Sequence, residues 1–195
     1  MKAFVVGVAM FMSAAQVLAA GEGRNWYIGV GAGQTSYRDV CSTADLISLS
    51  ATCDDESVGW KVFAGRNFSK YYGLELSLAD AGEAKVVAPA ATPGTLEVNS
   101  RLASFQGTLN VPFGDRFALL AKAGLTYFKA DYSRTGSFNA LNSGDDGLEP
   151  SIGAGFTVNF LNNLALRAEW EKFNDAAGFG NGDIELVSAS LLYRF

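Results

Sequence analysis

The chain of 195 residues contains no histidine. Its absence removes the side chain that most often acts as general base near neutral pH, leaving such work to carboxylates, Lys or Tyr. No nucleophile–base arrangement stands in its place, so an enzymatic role is not expected. Cysteine is nearly as scarce, with only Cys41 and Cys53. With no third thiol, no metal centre is expected, and no segment predicts a cofactor. The stretch "NSGDDGLE" lacks the first-position acid and the distal Glu of a calcium loop. Basic residues are outnumbered, 15 Lys+Arg against 20 Asp+Glu. That balance argues against nucleic acid as a partner, since phosphate backbones call for basic patches. Long apolar runs are missing too. The run from Ala3 to Met12 is too short for a spanning helix, which needs about 20 apolar residues. A mature chain that enters a membrane must therefore do so as strands.

The amino-terminal run has another use. Lys2 precedes it, small residues follow, and Val17 and Ala19 have the spacing that a signal peptidase reads. Residues 1–19 are predicted to be a secretory signal peptide, leaving 20–195 as one exported domain. Cys41 and Cys53 then meet an oxidising compartment and are expected to form a disulfide within one loop. Such a bond contributes roughly 2–4 kcal/mol at best, mainly to the order of that loop.

What the chain does contain is alternation of period two. In "NWYIGVGAGQTSY", Trp26, Ile28, Val30 and Ala32 share one face, and Tyr27, Gly29, Gly31, Gly33 and Thr35 the other. Gln34 occupies the place of the third glycine in a GxGxxG loop, so a strand with one small-residue face is the better reading. Seven further segments alternate: "VGWKVFAG", "YGLELSLADAG", "SFQGTLNV", "ALLAKAGLTYF", "PSIGAGFTVNF", "LALRAEWEKF" and "VSASLLYRF". Their second faces are mostly Gly, Ser, Thr and Asn with isolated charges, poor as a soluble surface but suited to a narrow lumen. Large apolar residues on the first faces suit lipid.

Connections alternate in length. "NFSKY", "VPFGDR" and "FLNN" are tight turns, and longer stretches run roughly over 38–55, 82–98, 133–148 and 174–183. Trp26, Phe68, Tyr71, Tyr72, Phe113, Phe117, Phe160 and Phe195 gather near the tight-turn side, as an interfacial girdle would. The predicted fold is all-β, an eight-stranded antiparallel up-and-down transmembrane barrel with both ends on the short-turn rim.

These features resemble the OmpA-type transmembrane domain and the wider porin family of small barrels. "VGWKVFAGRNFSKYYGLELSLADAG" carries the resemblance most clearly, followed by "LALRAEWEKF" and "LLYRF". The resemblance implies a multi-pass, monomeric protein of a Gram-negative outer membrane, in contact with lipid and lipopolysaccharide. It also implies that Tyr193 and Phe195 form the terminal signature read by the barrel assembly machinery. The chain ends with the barrel, so the peptidoglycan-anchoring role of longer OmpA-type proteins is not expected.

On the alternation, Lys61, Glu75, Lys122, Arg167 and Glu169 point inward at similar heights, with Glu171 on the same face. In the OmpA-type family an inward Glu–Arg pair, with a second Glu and a Lys, gates a narrow passage. Glu75 and Arg167 match the first pair, but Thr108 and Thr157 stand where the alternative Lys and Glu would be. Lys122 and Glu169 are the available substitutes. The favoured reading is a polar plug that satisfies buried charge, in a barrel with a structural or surface-interaction role. The alternative is a small-solute or ion porin with a charge-gated passage. Asp54, Asp55, Asp145 and Asp146 could meet divalent ions at a lipopolysaccharide surface. No motif in the long loops names an extracellular ligand.

Overall fold

Nine stretches of strand build one continuous wall in the computed structural model, which describes residues 25–38, 52–87, 94–136, 144–176 and 182–195. They are β1 (Trp26–Tyr37), β2 (Thr52–Asp54), β3 (Glu56–Asn67), β4 (Tyr72–Val87), β5 (Gly94–Phe113), β6 (Phe117–Gly136), β7 (Gly144–Asn159), β8 (Leu164–Phe173) and β9 (Ile184–Arg194). Every pairing is antiparallel: β1 pairs with β3, each strand from β3 onward pairs with the next, and β1 closes on β9. β2 and β3 flank Asp55, and both pair with β4. They form one stave, so the closed barrel has eight. Closure joins the two edge staves along the wall, which lets strands sit in lipid with their backbone polar groups satisfied. The predicted signal peptide over residues 1–19, and Cys41 of the expected disulfide, lie outside the described residues.

Burial follows the predicted alternation. Inward side chains of β8 are Ala165, Arg167, Glu169, Glu171 and Phe173, all buried, while Leu166 and Ala168 are exposed. The exposed outer face includes Ile28, Val30, Leu76, Leu78, Phe105, Leu119, Leu125 and Ile152. Apolar surface of this extent is expected of a lipid-facing wall. At the tight turns, Phe113 and Phe117 stack at 5.7 Å, and both pack on Phe156. Trp60 and Tyr127 stand exposed towards the other end of the wall.

That other end is where expectation and structure part. The stretches 82–98 and 133–148 were expected to be loops, yet β4 runs to Val87, β5 starts at Gly94, β6 ends at Gly136 and β7 starts at Gly144. Two causes hid these extensions. Outward positions there include charged ones, such as the Lys85–Glu97 pair at 2.8 Å, and the Arg101–Asp80 pair at 3.8 Å lies just below them. The alternation also changes phase. Gly82 adopts φ +73°, and the β4–β5 register shifts between Asp80 and Glu83. This bulge inserts one residue, so Ala79 and Ala81 face inward before it and Ala84 after it. Its Gly82 carbonyl accepts from Tyr37 Oη at 2.8 Å and Asn99 Nδ2 at 3.2 Å, fixing the kink.

Several wall glycines have a packing cause. A Cβ on Gly65 would lie 2.2 Å from Tyr27 Cζ, and one on Gly29 would lie 2.2 Å from Phe63 Cζ. Gly29 pairs with Phe63 and Tyr27 with Gly65 across β1 and β3, so each ring covers the other strand's glycine. Gly65→Ala is expected to cost roughly 1–3 kcal/mol through overpacking. Outward Gly107, whose nearest neighbour to an added Cβ is 3.7 Å away, should tolerate alanine within about 0.5 kcal/mol. Urea titrations of the refolded barrels check the contrast, and equal losses would remove this account of the glycines.

Candidate functional site: the ion cluster of the lumen

Four staves supply the inward charges. Lys61 comes from β3, Glu75 from β4, Lys122 from β6, and Arg167, Glu169 and Glu171 from β8. The alternation of β8 places its three on one face, with Arg167 nearest the short-turn rim. Room for them comes from the facing strand: a Cβ on Gly153 would lie 3.0 Å from Glu171 Cγ, and one on Gly155 2.9 Å from Glu169 Cγ. All six side chains are at most 4% exposed.

The five residues singled out in the sequence, with Glu171, form one connected cluster. Lys122 Nζ lies 2.9 Å from Glu75, 2.8 Å from Glu169 and 2.7 Å from Glu171. Lys61 Nζ lies 2.5 Å from Glu169 and also binds Glu171. Arg167 Nη1 donates to Glu75 at 2.7 Å and lies 3.6 Å from Glu169. Three cations thus face three carboxylates. In a lumen wall of low polarity, neutrality is the condition for burying such groups. The expected Glu75–Arg167 pair is present, and Lys122 touches all three acids.

Two further side chains complete the site. Tyr27 donates its hydroxyl to Glu75 at 2.8 Å. The Arg167 guanidinium lies 5.2 Å from the Tyr27 ring and 5.1 Å from the Phe63 ring, in reach of a cation–π contact. Alternation puts both on the inward face, Tyr27 with the β1 glycines and Phe63 with Lys61. The readable signal was a large aromatic on a face of small residues, opposite a glycine.

Layers on either side of the cluster differ in chemistry. Towards the short-turn rim lie buried Tyr27, Phe63, Ala165 and Leu192. On the far side, Ser104, Thr126, Gln106 and Ser151 share hydrogen bonds of 2.8–3.1 Å. Beyond them sits an apolar layer that includes Tyr37, Val98, Leu102, Phe128, Phe173 and Leu186. The expectation of a lumen lined by small and polar residues therefore fails in this half. Phe173 and Leu186 point inward beside outward Lys172 and Glu185, so the apolar and charged faces are exchanged relative to the rest of the wall. Among the described residues, no group of His, Cys, Asp and Glu could hold a metal ion.

Tyr193 and Phe195, the expected assembly signature, stack at 6.1 Å at the end of the closing strand. Tyr193 is exposed on the outer face. Phe195 and Trp26 exchange backbone hydrogen bonds of 3.0 and 3.3 Å, so the last residue is tied into the β1–β9 seam.

This architecture is shared with solved outer-membrane barrels. Ail, the attachment invasion locus protein of Yersinia pestis, aligns with a TM-score of 0.58 at 15% identity, covering 88% of this chain and 99% of its own. OprG of Pseudomonas aeruginosa gives 0.55 at 11%, covering 88% and 96%. Neisserial surface protein A gives 0.53 at 12%, covering 87% and 97%. At such identities the likeness is one of fold. No curated protein matches the chain by sequence. The family model for the outer membrane protein beta-barrel domain matches residues 4–195, so the chain belongs to that family of outer-membrane barrels.

Proposed function

We propose that this protein is a multi-pass barrel of a Gram-negative outer membrane that does not conduct solutes at rest and works through its outer rim. The observation that carries this reading is the six-residue ion cluster, whose side chains from opposite staves meet in the lumen. The apolar layer beyond it supports the same reading, because an ion would lose its hydration there. Nothing in the cluster pairs a nucleophile with a base, so the reading is non-enzymatic. Planar-bilayer recording of the refolded protein tests it. The expected result is a closed baseline with at most brief openings. A steady, large conductance unchanged by Arg167→Ala would overturn the plug and favour a general porin.

A charge-gated passage is the second reading, favoured by one specific observation. Arg167 Nε and the hydroxyls of Thr108 and Thr157 are buried without a protein partner. Thr157 pairs with Arg167 and Thr108 with Lys122 in the sheet register, so a rearranged cluster has partners waiting. Openings that lengthen with depolarising voltage would support it.

The outer rim carries the interaction half of the proposal. Among the described residues, exposed Asp54, Glu56, Glu83, Asp131, Asp145 and Asp146 outnumber exposed Arg38, Lys85, Arg101 and Lys129. Ail has been captured with the heparin analogue sucrose octasulfate. An acidic rim disfavours such a polysulfate, so the partner proposed here is cationic: divalent ions of the lipopolysaccharide layer, or a basic protein surface. A disulfide between Cys41 and Cys53 would brace the first outer connection.

A further inference from the structure

Charge is divided between the two rims. The long-loop rim is acidic, as described. On the short-turn rim Arg66, Lys70 and Arg116 are exposed, and Asp115 is the one acid beside them among the described residues. Among the described residues, no carboxylate lies within ion-pair distance of any of these three cations, while Lys85, Arg101, Lys129 and Lys172 at the other rim each have one.

Arg66 is the most constrained of the three. It lies on the outward face of β3, in register with Trp26 on β1 and Leu74 on β4. Its guanidinium sits 5.3 Å from the Trp26 ring and 5.7 Å from the Phe68 ring. Lys70 Nζ, on the adjoining turn, sits 4.9 Å from the Tyr71 ring. Two cations are thus held on aromatic platforms at the edge of a lipid-facing wall. Aromatic faces satisfy part of a guanidinium but accept none of its N–H hydrogen bonds. A permanent charge facing lipid near the interface needs an anion that the membrane itself supplies. Guanidinium donors in a planar fork match phosphate oxygens.

We infer that Arg66, between Trp26 and Phe68, with Lys70 beside it, is a seat for the headgroup phosphate of an anionic glycerophospholipid. Phosphate also occurs in lipopolysaccharide, but that lipid belongs to the opposite rim, where acids dominate. The inference rests on the short-turn rim facing the phospholipid leaflet, and it is independent of whether the lumen conducts. Arg66 faces the membrane wall, which favours a lipid over a soluble periplasmic protein.

The test uses the mature full-length barrel carrying Trp60→Phe and Trp170→Phe, so that Trp26 is the sole tryptophan. It is reconstituted into phosphatidylcholine vesicles containing a minor fraction of either brominated phosphatidylglycerol or brominated phosphatidylcholine. Both leaflets carry the quencher, so insertion direction does not enter. The expected result is that phosphatidylglycerol occupies the shell around Trp26 about fivefold more than its bulk fraction, the scale of one cation near an anionic surface. Arg66→Lys, which keeps the charge but loses the planar fork, should retain only part of the preference, and Arg66→Gln should abolish it while Trp26 remains quenched by both lipids. Equal quenching by the two lipids in the parent, or an undiminished preference in Arg66→Gln, would overturn the proposal.

Discussion

Replacing Lys122 by methionine is expected to destabilise the barrel by about 3–5 kcal/mol, the loss typical of breaking a buried ion pair from one side. Lys122 is the cation that touches all three carboxylates, at 2.7–2.9 Å. Without it, three acids share two cations inside a wall that admits little screening. Arg167→Ala should cost less, because Glu75 keeps Lys122 at 2.9 Å and the Tyr27 hydroxyl at 2.8 Å. The double variant Lys122→Met/Glu171→Gln decides the mechanism. It leaves Lys61–Glu169 and Arg167–Glu75 as two balanced pairs. More than half of the lost stability should return. Urea titration of the folded band on unheated gels gives all three values. If every variant lies within about 0.5 kcal/mol of the parent, the charges are hydrated and their pairing carries little of the stability.

Deleting Phe195 is expected to remove most of the assembled protein from the outer membrane in cells. The same deletion should leave spontaneous folding into vesicles close to normal. Phe195 contributes two backbone hydrogen bonds with Trp26 to the seam, and the remaining β1–β9 register from Tyr27↔Arg194 to Tyr37↔Ile184 is untouched. Those two bonds are each worth about 1 kcal/mol net, too little to unfold a closed barrel. A severe defect in cells with a mild one in vesicles therefore isolates recognition from stability. Ser190→Ala, inward and small, serves as the neutral control. Normal yield of the truncated chain in cells would sink the terminal-signature reading, and failure in both settings would assign Phe195 a purely structural part.

The wall was legible in the sequence wherever its two faces differed strongly. Leu74, Leu76 and Leu78 against Gly73, Glu75 and Ser77 leave one orientation only, because a register slip would send Glu75 to lipid. For the same reason counting from the tight turns brought Lys61, Glu75, Lys122, Arg167 and Glu169 to a common height. Legibility failed where the contrast vanished. Beyond Asp80 the outward face meets water, so Glu83 and Lys85 read as loop, and the extra residue at Gly82 inverts the parity that would have exposed the strand. At Phe173, Ile184 and Leu186 the contrast is reversed: the inward side chains are apolar for the upper lumen, and Lys172, Asp183 and Glu185 beside them are charged. The Tyr27–Glu75 contact needed coordinates, since it joins residues of strands that are not neighbours in the sheet.

The unequal height of the staves has a consequence in the plane of the membrane. From the level of Asp80, Arg101 and Lys129, strands β4, β5 and β6 continue to Val87, back to Gly94 and on to Gly136, while β8 ends at Phe173 and β9 begins at Ile184. At about 3.3 Å per residue and the usual strand tilt, the taller staves rise roughly 18 Å above that level. The cylinder therefore has a front and a back. Among the described residues, a neighbour approaching the β4–β6 side meets the exposed charges of the taller staves, Glu83, Lys85, Arg101, Lys129 and Asp131, whereas the described strands β8 and β9 end lower. Lateral contacts in a crowded membrane are thus steered by rotation about the membrane normal, a property that eight staves of equal height would lack.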